Sequence, residues 1–169
     1  MSAESTLDEK TWGELREIAA RYPEARSGLL PMLHLVQSAL GQITPEGIEA
    51  CAEILDISTA EVSGVATFYT MYNKRPVGDF LVQVCTNVAC NLCGGDDVYE
   101  AFLEHMGVEA GETTPDGHFT VIEAECLGAC GFPTAIQIND RYFENVTPDD
   151  VPAILTQLRG EAGAMKGAR

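Results

Sequence analysis

The chain has 169 residues, 46% hydrophobic and 21% charged, a globular composition long enough to bury a core without disulfide staples. Its 26 acidic and 10 basic residues give a formal net charge of -16. Such a surface repels phosphate backbones and anionic lipid head groups, so binding to nucleic acid or to a membrane surface is a poor hypothesis, whereas protein partners stay open.

We expect that the first residues of this sequence are not a signal peptide. Residues 1–15 alternate polar and charged side chains and lack the basic start and apolar run of a signal peptide. No stretch approaches the ~20 apolar residues of a membrane span, so we expect no direct membrane insertion. We therefore expect the six cysteines in a reducing cytosol, where clustered cysteines more often serve metal or redox chemistry than structural disulfides.

Four short helices are predicted in the first part of the chain. A third helix is expected to begin at Thr44 and Pro45, an N-cap and first-turn pair, and a fourth at Ser58, which forms a capping box with Glu61. Short joints between the helices favour a small bundle. The apolar faces of the first two helices are Trp12, Leu15, Ile18 and Ala19, and Leu29, Met32, Leu33, Val36 and Leu40.

The helical pattern breaks at residues 73–78, which contain Lys, Arg, Pro and Gly. We place a domain boundary there, with a helical domain over residues 1–75 and a second domain over residues 76–169. The second domain is predicted to contain a strand at 80–85, a helix at 96–106, a strand from about 119 to 123, a hairpin of strands at 135–138 and 141–143, and a final helix that frays after Gly160.

The cysteines are placed by the first two of these strands. The helix between them implies a right-handed crossover and parallel strands, whose carboxyl ends share the sheet edge at which open α/β folds usually bind ligands. Cys85 ends the first strand and Cys90 lies in the loop behind it, while Cys126 and Cys130 lie in the loop behind the second. Two remote pairs, C-x4-C and C-x3-C, are thus expected to converge.

Four thiolates in two loops are what a [2Fe-2S] rhomb requires, so we predict one such cluster at this edge. Nearby glycines at 94, 95, 128 and 131 would let backbone amides approach the sulfides and stabilise their charge. Structural zinc also accepts four thiolates, but its cysteine pairs more often have a two-residue spacing. A dithiol redox or disulfide role is a further alternative.

The other two cysteines are interpreted separately. Cys51 lies on the apolar stripe of a helix, which favours a buried, inert thiol. Cys93 completes the spacing C-x4-C-x2-C with Cys85 and Cys90, so a set of three ligands plus one is formally possible, although it would leave Cys126 or Cys130 without a role. The three histidines show no spacing that converges on the cysteines.

Two further features bear on function. The aromatic run Phe68, Tyr69, Met71 and Tyr72 suits a bundle core, and its density also allows a docking surface. Neither a G-x-G-x-x-G nor a G-x-x-x-x-G-K-[ST] stretch occurs, so no nucleotide-binding fingerprint is present.

Four segments resemble the family of E-type subunits of bacterial NADH-quinone oxidoreductases, which are thioredoxin-like [2Fe-2S] ferredoxins. These are GVATFYTMY at 64–72, VCTNVAC at 84–90, ECLGAC at 125–130 and IND at 138–140. The resemblance covers almost the whole chain. In two places the chain departs from the family pattern: Cys93 stands where relatives commonly carry a non-ligand, and Pro133 comes one residue earlier than the usual Ala-Pro.

The resemblance implies an α+β fold, with a small N-terminal helical bundle followed by a thioredoxin-like domain with a four-stranded mixed sheet. It implies one [2Fe-2S] cluster ligated by Cys85, Cys90, Cys126 and Cys130, with FMN and NADH on the F-type partner subunit and with the iron–sulfur subunit of the G type as a further partner. The chain would then be a cytoplasmic, peripheral electron-transfer subunit of complex I on the inner face of the cell membrane.

Related sequences also serve as small diaphorase subunits of NAD-linked hydrogenases and formate dehydrogenases, and this alternative stays open at the level of sequence. A free-standing thioredoxin-like ferredoxin is a further one. A protein of the zinc-stabilised class would differ from all of these in being colourless.

Overall fold

A computed structural model describes residues 7–166 of the chain and the side chains of residues 7–162. The chain divides into two compact units, the first ending at Pro76 and the second beginning at Val77. No helix in the described part of the chain is long and apolar enough to cross a membrane.

The first unit is a bundle of four helices: α1 Glu9–Ala20, α2 Leu29–Leu40, α3 Pro45–Leu55 and α4 Thr59–Phe68, with a 3-10 turn at Ala25–Gly28. The predicted caps are present, since the Thr44 side chain accepts from the Gly47 amide and Ser58 and Glu61 form a reciprocal capping box. The fully buried core includes Leu15, Met32, Leu33, Val36 and Val62.

The second unit is a four-stranded sheet with helices and the order β2-β1-β3-β4. Its elements are β1 Phe80–Cys85, α5 Val88–Leu92, α6 Gly95–Met106, β2 Phe119–Ala124, β3 Ile136–Ile138, β4 Arg141–Phe143, a 3-10 turn at Pro148–Asp150 and α7 Val151–Lys166. β1 is parallel to β2 and antiparallel to β3, which is in turn antiparallel to β4. The predicted α+β class with a mixed sheet is confirmed.

Buried and partly buried side chains alternate along β1, and the buried ones belong to the core of this unit. Phe80, Val82 and Val84 are buried, and they belong to one cluster with Phe102 of α6 and Leu158 of α7. Truncating a fully buried phenylalanine such as Phe102 to alanine costs about 3–5 kcal/mol in comparable cores. The sheet edge that follows β1 and β2 is therefore attached to a well-packed core.

Two details of the prediction were wrong. Cys90 does not lie in an irregular loop but on the short helix α5. The last helix continues beyond Gly160 to Lys166, because Glu161 forms two hydrogen bonds with Arg141, at 3.1 and 2.8 Å, and Ala162 is buried.

Candidate metal centre

The two predicted cysteine pairs follow the two parallel strands. Cys85 is the last residue of β1 and pairs in register with Ala124, the last residue of β2. Cys126 comes two residues after Ala124, so both segments leave the sheet at the same edge. The side chain of Asn87 joins them directly, because its amide donates to the carbonyl of Glu125 at 2.6 Å.

Helix α5 turns Cys90 toward the interior. The Asn87 side chain accepts from the Val88 amide at 2.9 Å, which caps the helix, and Cys90 is only 2% exposed. Val88 and Leu92, one turn apart on the same helix, are 71% and 81% exposed. This short helix thus buries its cysteine and presents its apolar side chains outward.

The first turn of α6 contacts the cysteine backbone closely. A Cβ atom at Gly95 would lie 2.8 Å from the carbonyl oxygen of Cys85 and 2.9 Å from the carbonyl carbon of Cys90, so a larger residue would push both apart. Glycines near the cysteines are expected to let backbone amides approach the cluster sulfides. At Gly95 the groups that come close are the carbonyl groups of Cys85 and Cys90.

The segment containing Cys126 and Cys130 packs against the first pair. Both cysteines are exposed, but Leu127 and Ala129, which lie between them, contact a small cluster of Cys85, Cys90 and Ala135. Gly128 allows the turn at a φ of 75°, a value that disfavours side chains. The Tyr142 hydroxyl donates to the Leu127 carbonyl at 3.0 Å and fixes the segment to β4.

The thiols of the two pairs influence one another. Burial raises the pKa of Cys90, a hydrogen bond from the Ala135 backbone opposes this, and the hydrogen-bonded Cys85 thiol and the nearby Cys130 raise it again. Ala135 also accepts a hydrogen bond from the Cys85 amide at 3.1 Å. Cys85, Cys90 and Cys130 are therefore neighbours at one edge of the sheet.

Among the described residues, no group of three or more Cys, His, Asp or Glu side chains is placed to hold a single metal ion. A [2Fe-2S] rhomb has two irons, and each takes two of the four thiolates. Cys85 and Cys90 share one buried cluster, and the segment that carries the second pair packs against it through Leu127 and Ala129, which fits that division. The chemistry of the donor set therefore suits the cluster.

The remaining cysteines differ sharply from each other. Cys51 is fully buried on α3, which confirms the expected burial, and this burial raises its pKa to about 12, which favours an unreactive thiol. Cys93 is exposed and directly follows α5, where its amide donates to the Cys90 carbonyl at 3.0 Å. It is thus close in sequence to the site, with a side chain that solvent reaches.

The residues of the aromatic run differ in burial, so that one suits the bundle core and another suits a docking surface. Tyr72 is buried and donates to the Leu30 carbonyl at 2.9 Å, whereas Phe68 is 78% exposed and stands edge-on to Tyr69.

The histidines have local partners: His105 bonds to the Ala101 carbonyl and His118 to Asp79.

Sequence reasoning missed one buried polar side chain beside the cysteines. Thr134 is 1% exposed, and its hydroxyl lies 3.4 Å from the carbonyl oxygens of both Cys90 and Cys93. The peptide bond between Pro133 and Thr134 is cis. An isolated threonine before a strand has no pattern that distinguishes it from an exposed one, so the sequence contained no usable signal.

Comparison with known proteins gives three concordant results. The model of the family described as "Thioredoxin-like [2Fe-2S] ferredoxin" matches residues 15–159. The E-type subunit of the Rickettsia bellii NADH-quinone oxidoreductase is 40% identical over 159 residues, covering 92% of this chain and 95% of that protein. The corresponding E-type subunit of Mycobacterium tuberculosis is 45% identical over 148 residues, covering 88% of this chain; the match spans 59% of that longer protein.

Among solved structures, a crystal structure of an NAD+-reducing [NiFe]-hydrogenase in the air-oxidized state superposes with a TM-score of 0.69. The match covers 79% of this chain and 23% of that one at 19% identity, so it supports the fold alone.

Proposed function

Because the chain belongs to the thioredoxin-like [2Fe-2S] ferredoxin family, we propose that it is the [2Fe-2S] electron-transfer subunit of a respiratory NADH-quinone oxidoreductase, complex I. It exchanges single electrons with the FMN of an NADH-binding partner subunit and performs no bond chemistry itself. FMN divides the hydride of NADH into single electrons, and the [2Fe-2S] cluster supplies a one-electron site that accepts them.

The observation that supports this proposal is that the two cysteine-bearing segments leave the sheet at the same edge and pack against each other. β1 and β2 are parallel and in register to Cys85 and Ala124, and Leu127 and Ala129 pack against Cys85 and Cys90. We assign Cys85, Cys90, Cys126 and Cys130 as the four ligands, in agreement with the family pattern at these positions. Ligands on a packed strand end and on a capped helix are held by the fold.

The residues around the ligands each have a local task. Ala135 packs against Cys85 and Cys90 and accepts from the Cys85 amide at 3.1 Å, which holds the first cysteine pair against the start of β3. Leu127 and Ala129 cover Cys85 and Cys90 and exclude water from them. Cys126 and Cys130 stay at the surface, which suits a site that must come close to a partner's cofactor.

Partner contact is supported by exposed apolar side chains in each unit. In the second unit, Val88 and Leu92 flank the buried Cys90, and the exposed Phe132 follows Cys130 by two residues. In the first unit, Phe68, Tyr69 and Met71 are exposed. Apolar groups of this size at a surface commonly mark protein interfaces. We propose the F-type subunit, which carries FMN and NADH, as the direct partner and the G-type iron–sulfur subunit as a further one.

The location of the chain in the cell follows from this assembly. It would lie on the cytoplasmic side as a peripheral part of the complex, on the inner face of the cell membrane. NADH binding is assigned to the partner, since the chain contains no phosphate-binding loop of the two common types.

Anaerobic purification with metal and sulfide analysis tests the proposal. We expect a coloured protein with about two iron and two sulfide per chain and an EPR signal on reduction. A colourless, iron-free protein with one equivalent of zinc would overturn it. The parent complex is identified by co-purification: quinone-linked NADH oxidation supports complex I, whereas hydrogen- or formate-linked NAD+ reduction would assign the chain to a diaphorase instead.

A further inference from the structure

Thr134 occupies an unusual place in the second unit. It follows Cys130 by four residues and lies two residues before β3, and it is 1% exposed. Its hydroxyl hydrogen is shared between the carbonyl oxygens of Cys90 and Cys93, each 3.4 Å away. Each of these hydrogen bonds is long and individually weak. Together they span the turn at which α5 ends, and the contact to the Cys90 carbonyl is buried.

The backbone on which Thr134 sits is fixed on both sides. Its carbonyl accepts from the Val146 amide at 2.9 Å, and the next residue, Ala135, accepts from the Cys85 amide at 3.1 Å. Ala135 also belongs to the small buried cluster that contains Cys85 and Cys90. Two consecutive residues therefore contact Cys90, Thr134 at its carbonyl oxygen and Ala135 within the buried cluster.

The Cys90 carbonyl has little freedom to move. Gly95 approaches it so closely that an added Cβ would lie 3.0 Å from the oxygen and 2.9 Å from the carbon. The same oxygen accepts from the Cys93 amide at 3.0 Å. A shift of α5 relative to Thr134 would disturb all of these contacts together with the packing of Cys90 against Ala135.

We propose that Thr134 is a positioning residue for Cys90: its hydroxyl fixes the end of α5 against the segment that follows Cys130, and so sets how Cys90 packs against Ala135. This rests on the proposed function, because Cys90 is taken as a cluster ligand. The surroundings of the ligand residues tune the reduction potential of iron–sulfur clusters, so the hydroxyl acts on potential and on cluster retention through Cys90.

The test compares three variants of the full chain. Thr134→Val removes the hydroxyl and keeps the shape, and Thr134→Ser keeps the hydroxyl. Thr120→Val is the matched control, since Thr120 is also 1% exposed and its hydroxyl serves Gly78 and Thr113 in the same unit. Each is assayed by EPR-monitored redox titration and by the rate of iron loss to a chelator.

We expect Thr134→Val to shift the midpoint potential and to lose iron roughly tenfold faster, the low end for outer hydrogen bonds at metal sites. Thr134→Ser should restore both values, and Thr120→Val should leave both unchanged while lowering the melting temperature. An unaltered potential and iron-loss rate in Thr134→Val, an equal effect in Thr120→Val, or no recovery in Thr134→Ser would each overturn the proposal.

Hydrogen exchange of the metal-free chain separates this inference from the ligand assignment. The Cys93 and Gly94 amides donate within the α5 turn, at 3.0 Å each, and should exchange faster in Thr134→Val than in Thr120→Val. If the wild-type chain carries zinc and no iron, the proposed function fails. The positioning role of Thr134 is then tested by this difference in exchange rate alone. If Thr134→Val does not fold, Thr134→Ala replaces it in the same assays, and an unaltered potential and iron-loss rate there would overturn the proposal.

Discussion

At the scale of single residues, the most direct test compares two exposed cysteines, Cys93 and Cys126. Cys93 lies outside the four proposed ligands, so Cys93→Ala should keep the cluster. Cys126→Ala removes one of four ligands and should lose or badly damage it. Visible absorption and EPR spectra of the two purified variants make the comparison. Bleaching in Cys93→Ala, with an unchanged spectrum in Cys126→Ala, would refute the ligand assignment.

Also at this scale, the sequence predicted that the two cysteine-bearing segments meet at one sheet edge and that Cys51 is buried, because residue spacing and apolar periodicity can be read directly from the chain. The assignment of the four cysteines as ligands stays a prediction. The sequence could not predict Thr134 or the tight contact at Gly95. Both depend on which carbonyl groups come near after the strands have paired, and residues 90 and 134 are too far apart in sequence for a local pattern to relate them.

At the scale of elements, helix caps were the most reliable signal and short helices the least. Thr44 and Ser58 cap α3 and α4 as predicted. Helix α5 was missed because it has five residues, fewer than two turns, and exposes its apolar side chains, which is the reverse of the usual pattern. The prediction for the end of α7 failed because Arg141, a residue of β4, binds Glu161.

The capping box of α4 gives a prediction at the same scale. Backbone and side-chain hydrogen bonds from Ser58, with the nearby Arg26, hold the pKa of Glu61 below its usual value. The contribution of Glu61 to stability is therefore present above its unfolded pKa and lost as pH falls through the lowered folded value. Ser58→Ala should lower the free energy of unfolding by about 1 kcal/mol at neutral pH, measured by urea denaturation.

Ser38→Ala is the matched control for that experiment. Its hydroxyl bonds back to the His34 carbonyl within α2 and caps nothing, so its loss should change stability by less than the loss of Ser58. Equal effects of the two substitutions, or a Ser58→Ala effect that grows on acidification, would contradict the role given to the cap.

At the scale of the whole molecule, each unit has a core of its own, so each is expected to fold without the other. If the helical unit contributes the contact surface, deleting residues 1–76 should leave a chain that still carries its cluster but no longer co-purifies with the proposed F-type partner. Phe68→Ser should weaken co-purification at unchanged melting temperature, because Phe68 is exposed. Full co-purification of the truncated chain would assign the contact to the second unit.

The uneven charge of the second unit has a consequence for an unassembled copy. Residues 77–140 contain eleven acidic side chains and no lysine or arginine, and the same stretch exposes Val88, Leu92 and Phe132. Apolar groups favour self-association, whereas like charges keep copies apart over a distance that shrinks from ~30 Å at about 0.01 M salt to ~3 Å at about 1 M. Colloidal stability of the lone subunit therefore depends on ionic strength, and the orphaned chain is kept dispersed by repulsion until a partner covers its apolar side chains.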